Sequence, residues 1–108
     1  MTQERCESCY AGAPVMPVEE VQQQLSSLNN WVYDESECRL RKVFQFKGYY
    51  KTIAFVNAIA WIAQQQQHHP DLEVTYNTVT VCFQTHAVNG VTTNDFICAR
   101  HVDALDGS

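Results

Sequence analysis

Residues 49–70 read YYKTIAFVNAIAWIAQQQQHHP, and this stretch decides the fold. It holds no glycine and no proline before Pro70. Phe55, Ile59 and Ile62, flanked by the series Val56, Ala60 and Ala63, recur at helical spacing and make a wide apolar stripe. Pro70 has no amide hydrogen and pushes its predecessor out of the helical region, so the spacing predicts a helix from Tyr49 to Gln67 that frays at His68 and His69. Such a helix covers a sheet. Its longest apolar run, Ile53 to Ala63, is interrupted by Asn57 and is well short of the roughly 20 residues that cross a bilayer, so no transmembrane segment is expected.

Outward from this helix the apolar period switches to two. On the N-terminal side Trp31-Val32-Tyr33, a turn at Asp34 to Glu37, and Cys38 to Lys47 with Leu40, Phe44 and Phe46 on one face read as a hairpin. On the C-terminal side Glu73 to Tyr76, a turn at Asn77-Thr78, and Val79 to Thr85 read as a second, with Val79, Val81 and Phe83 facing one way and Thr80, Cys82, Gln84 and His86 the other. A short helix carrying Val18, Val21, Leu25 and Leu28 precedes the first hairpin and ends at Asn29-Asn30; Glu19 and Glu20 suit its positive N-terminus. After Gly90, Thr92-x-x-Asp95 resembles a capping box and starts a last helix bearing Phe96, Ile97, Ala99, Val102 and Leu105. The order αββαββα predicts an α+β two-layer sandwich, with four antiparallel strands and three helices on one face. Free sheet edges invite pairing between copies. Trp31 and Trp61 are expected in the core, Lys42 and Lys47 at the sheet border, and His101 at the surface or in packing.

The 108 residues, 45% of them hydrophobic, suffice for one compact domain, expected over 17–108 behind a tail at 1–16. Seven Lys and Arg against twelve Asp and Glu leave a net charge of −5, and no long basic patch exists, which argues against a nucleic-acid backbone as ligand. The first residues lack the basic start and apolar core of a secretory signal, so a cytoplasmic location is expected. Five cysteines without a repeated framework read as reduced thiols. Cys6-x-x-Cys9 is half of a zinc ribbon or a redox pair, with no second pair and no βαβ unit around it.

The most concentrated chemical signal is His68-His69-Pro70 at a helix end, with His86 at a strand end where the two termini can converge. Imidazoles exchange protons near neutral pH and suit general acid–base chemistry. A plain helix cap is the competing structural reading. Three imidazoles also suit zinc, but adjacent helical residues point about 100° apart, so His68 and His69 share an ion only if the terminus unwinds. Gln64 lies one turn before His68, where its amide could orient the imidazole or merely face solvent.

Phe44-Gln45-Phe46-Lys47, the long helix, His68-His69-Pro70, Tyr76-Asn77-x-Val79, Thr85-His86, Gly90-Val91-Thr92 and Asp95, in this order and at these intervals, resemble the pterin-4a-carbinolamine dehydratases over about Val18 to Leu105. The resemblance implies an antiparallel four-stranded sheet backed by helices. It implies dehydration of 4a-hydroxytetrahydropterin, the product of aromatic amino acid hydroxylases, to the quinonoid dihydropterin, with no metal or organic cofactor. Carried over by position, it makes His68, His69 and His86 catalytic and places Gln64, Leu72, Glu73, Val74, Thr85 and Asp95 around the pterin. Asp95 is then the acid that caps the last helix and fixes a histidine tautomer, and backbone groups near Glu73 to Tyr76 pair with the pterin's amide edge. The sequence departs from the family's common pattern at Gln64 and Gln65, where Glu-Lys is frequent, and at Leu72, where Trp is frequent. A homodimer or homotetramer is expected, with phenylalanine hydroxylase as a further partner. The alternative is a binding or regulatory role on the same fold, without efficient catalysis.

Overall fold

The period-two stretches pair into one four-stranded antiparallel sheet in the computed structural model, which describes residues 15–106. In chain order the elements are α1 (Val18–Leu25), β1 (Val32–Asp34), β2 (Arg39–Gln45), α2 (Tyr49–Gln66), β3 (Asp71–Val74), β4 (Thr78–Phe83), a 3-10 turn at His86–Val88, and α3 (Thr93–Asp106). This is the expected α+β sandwich in the order αββαββα. The strands lie β1-β2-β4-β3, so β4 is inserted between β2 and β3 and the edges belong to β1 and β3. Registers Leu40↔Phe83, Phe44↔Val79 and Leu72↔Val81 put these side chains on the face that the helices cover. There Val79, Val81, Phe83, Phe96 and Ile59 are almost wholly removed from water. No helix among the described residues is long and apolar enough to cross a membrane.

Several elements differ from the sequence reading. Helix α1 stops at Leu25 rather than at Asn29-Asn30, because the Ser26 and Ser27 hydroxyls bond back to the carbonyls of Gln23 and Gln24, both at 2.7 Å, and tighten the last turn. Strand β3 begins two residues earlier than expected, directly after Pro70. Its turn is correspondingly earlier, closed by Thr75 N–H donating to the Thr78 carbonyl at 2.9 Å. Strand β4 ends at Phe83, and His86 opens the 3-10 turn instead of ending a strand. Trp61 is not in the core: it is 66% exposed on the outward face of α2, where Tyr50 also lies. The buried stripe of α2 is narrower than its apolar composition and consists of Thr52, Phe55, Ile59, Ile62 and Ala63. The Thr52 hydroxyl shares its one hydrogen between the carbonyls of Gly48, at 2.9 Å, and Tyr76, at 3.0 Å, which ties α2 to the β3–β4 turn. The Cys6-x-x-Cys9 pair and nearly all of the expected tail lie outside the described residues.

Lys42 does not border the sheet. It sits on the covered face between Leu40 and Phe44, with its ammonium 4.6 Å from the Phe44 ring centroid and 2.9 Å from Asp103 Oδ1 on α3. The same carboxylate accepts the indole N–H of Trp31 at 3.0 Å. One acid on the last helix thus satisfies a cation from β2 and an indole from the chain leading into β1, and pins α3 across the sheet. Replacing Asp103 with Ala leaves both donors without their acceptor. The expected loss of folding stability is about 3 kcal/mol, read from urea denaturation, with part recovered when Lys42→Met is added.

Candidate active site

A four-glutamine run offers no obvious helix stop, yet α2 ends within it. Gln67 takes the left-handed conformation at φ 53° and ψ 40°, and both its amide and that of His68 donate to the Ala63 carbonyl. This cap turns the chain sharply. His68 is directed inward, 8% exposed, with its ring stacked on Phe83 at 6.2 Å and 10° between planes, while His69 stays exposed.

The inward ring meets the start of α3. Asp95, with no exposed surface, accepts from His68 Nε2 on Oδ1 at 2.6 Å. Its Oδ2 accepts from the Thr85 hydroxyl at 2.8 Å and from the Thr92 amide at 2.9 Å. The Thr92 amide and Asp95 carboxylate form one half of a capping box; in place of the other half, Thr92 Oγ1 accepts from the Asn94 amide at 3.3 Å while the Asp95 amide donates to the Thr92 carbonyl at 3.1 Å. Because the single Thr85 hydroxyl hydrogen goes to Asp95, the 2.8 Å contact between Thr85 and Thr92 runs from the Thr92 hydroxyl to the Thr85 oxygen. Hydrogen bonds therefore run in one direction, Asn94 to Thr92 to Thr85 to Asp95. A carboxylate can only accept, so His68 carries hydrogen on Nε2, and Nδ1 is the basic nitrogen of the neutral ring.

His86 arrives from the other side. Thr85 and Gly90 pair across the loop, with Thr85 N–H donating to the Gly90 carbonyl at 2.8 Å, and Asn89 closes the turn in the left-handed region. Between this loop and the end of α2 lies a cleft of about 250 Å³. One wall is His68, His69, Pro70 and Asp71, following Gln67; the other is Gln84, Thr85, His86 and Ala87. The three histidines singled out in the sequence thus line a single cleft, one buried and two exposed.

The remaining candidates are distributed differently. Asp95 lies behind the cleft and reaches it through His68 and Thr85. Gln64 is exposed on α2, outside the lining, and the residue that holds His68 is Asp95. Leu72 packs against the core from the covered face of β3, and Glu73 and Val74 are exposed on that edge strand, outside the cleft lining. Asp71 was not legible as a lining residue, because β3 begins earlier than its apolar alternation suggests; Gln84, set on the His86 side of the second hairpin by that alternation, lines the cleft as well. The Gln84 amide nitrogen is held by the carbonyls of Glu37 and Cys38, at 2.6 and 3.1 Å. Cys82, across the ladder from Asp71, is buried, and burial pushes its thiol up, against the opposite pull of Arg39 and Arg41. Among the described residues, no three His, Cys, Asp or Glu side chains are grouped to hold a metal ion. His101, for which the sequence offered no partner, meets the Gln66 amide at 3.4 Å between α2 and α3.

A family model described as pterin 4 alpha carbinolamine dehydratase matches residues 14–105. A Legionella pneumophila (strain Corby) protein named for that same enzyme is 47% identical over 106 residues, spanning 97% of this chain and 94% of its own. Among solved structures, a transcriptional coactivator/pterin dehydratase from Brucella melitensis superposes with a TM-score of 0.81 at 29% identity, over 85% of this chain and 98% of its own. A pterin dehydratase-like protein described as a RuBisCO assembly factor of the alpha-carboxysome superposes at 0.65 and 26% identity, over 74% and 93%.

The carboxylate network makes a structural prediction. Asp95→Ala removes the acceptor of three buried donors and is expected to cost about 3 kcal/mol of stability in chemical denaturation. In nitrogen NMR of the neutral ring, His68 is expected as the Nε2–H tautomer in the unmodified protein and as a tautomer mixture in the folded fraction of the variant.

Proposed function

The chain belongs to the pterin 4 alpha carbinolamine dehydratase family, and from that premise we propose that its cleft dehydrates 4a-hydroxytetrahydropterin to the quinonoid dihydropterin by histidine acid–base catalysis. The observation that carries this reading is the convergence of His68, His69 and His86 on one cleft, with His68 backed by a buried carboxylate. The reaction breaks the C4a–O bond and forms a C4a=N5 double bond. The leaving hydroxyl takes a proton and departs as water, and N5 loses its hydrogen, so one acid and one base balance the step. No electrons are exchanged with a second reactant.

In this assignment His68 donates to the 4a-oxygen. Its Nε2–H stays with Asp95 while Nδ1 exchanges the proton, and the carboxylate stabilises the positive charge that the ring carries between turnovers. His86, on the opposite wall, serves the ring nitrogen or the other stereoisomer at C4a, and exposed His69 binds and orients the pterin. Gln64, where the family often has Glu, is not needed to hold His68 in this reading, because the carboxylate on that ring comes from Asp95. The protein would act in the cytoplasm in tetrahydropterin recycling beside an aromatic amino acid hydroxylase, as a homodimer or homotetramer.

A protein-binding role on the same fold is favoured by a different observation. The outward face of α2 exposes Tyr50 and Trp61, at 86% and 66%, as large rings without cover among the described residues. The two readings separate in one assay of enzymatically generated 4a-hydroxytetrahydropterin followed by absorbance. His68→Ala and His86→Ala are each expected to lower the enzyme-dependent rate about 10²-fold. Unchanged rates in both variants would remove the acid–base assignment. No acceleration by the unmodified protein would favour the binding role.

A further inference from the structure

The loop that carries His86 has a second support, supplied by the segment before α1. Met16 N–H donates to the Val91 carbonyl at 2.8 Å, and this brings Val15 over Gly90. Gly90 is buried and its φ lies outside the left-handed region, so glycine is needed here for space rather than for conformation. A Cβ at position 90 would come 2.8 Å from Val15 Cγ1, well inside contact distance. The next nearest atoms are also from Val15: Cγ2 at 3.7 Å and Cβ at 3.8 Å.

Gly90 is the far end of the pair with Thr85, whose hydroxyl reaches Asp95 and whose successor is His86. Contacts therefore run from Val15 to Gly90, from Gly90 to Thr85, and from Thr85 to both His86 and the carboxylate behind His68. We propose that Val15, seated on the bare backbone of Gly90, is a positioning residue that straps the His86 loop in place. Val15 lies outside the cleft lining and acts only through the loop. The consequence for turnover rests on the dehydratase reading; the strap itself does not.

The distances specify the test. Gly90→Ala forces Val15 Cγ1 off its seat, whereas adding Val15→Ala removes both γ carbons and leaves only the Cβ of residue 15, at an ordinary 3.8 Å. Hydrogen exchange of the Met16, Thr85 and Gly90 amides in the full chain is followed by NMR, together with kcat and KM. In Gly90→Ala, the three amides are expected to exchange about tenfold faster or more, and kcat to fall several-fold with a smaller change in KM. In the double variant, exchange and kcat are expected to return most of the way to those of the unmodified protein.

Equal exchange in the single and double variants would overturn the strap. So would release of Met16 with Thr85 and Gly90 exchange unchanged. If Gly90→Ala does not fold, folding of the double variant supports the contact and failure of both overturns it. Absence of dehydration by the unmodified protein would overturn the dehydratase reading alone, because the exchange measurements need no substrate.

Discussion

A carboxylate with no exposed surface is an expensive group to bury, and Asp95 is tolerable because both of its oxygens accept from buried donors, one on Oδ1 and two on Oδ2. The donors come from three separate places: the second residue after α2, the exit of β4, and the residue that precedes α3. Satisfying one acid therefore fixes the mutual position of three elements. The same satisfaction decides which nitrogen of His68 bears hydrogen. Among the described residues no buried side-chain nitrogen or oxygen lacks a partner, so no atom of this network is left unsatisfied outright.

The two walls of the cleft are held by different means. His68 is rigid by burial, between Phe83 and Asp95, after a left-handed cap has turned the chain inward. His86 is exposed and depends on its loop, which is closed by the pair at Thr85 and Gly90 and by the left-handed residue Asn89. Acid–base chemistry benefits from such a division, because a fixed group sets geometry while an accessible one exchanges protons with water.

Much of this was legible in the sequence. Two changes of hydrophobic period bracket α2 and specify the order of elements, and Thr92-x-x-Asp95 announces the start of α3. The histidine cluster stood out by composition alone. What was hidden depends on contacts distant along the chain. Trp61 counts as apolar in any stripe, but the faces of a helix are told apart only by what packs on them. Lys42 looks like a surface residue until Asp103, 61 positions later, is placed beside it. Four identical glutamines carry no mark of which takes the left-handed turn, and the early start of β3 follows from its register with β4, which places Asp71 opposite Cys82.

The contact between Trp31 and Asp103 spans 72 positions, and the central ladder pairs β2 with a strand made after the long helix. Such a chain has high contact order. As it leaves the ribosome, the N-terminal half emerges with Lys42 and the Trp31 indole facing an interior that is not yet there. Neither β4, which fills the centre of the sheet, nor α3, which supplies both acids, has been synthesised. Closure of the core is thus deferred until α3 has cleared the exit tunnel, and a nascent chain stalled before α3 would present an open sheet face to chaperones.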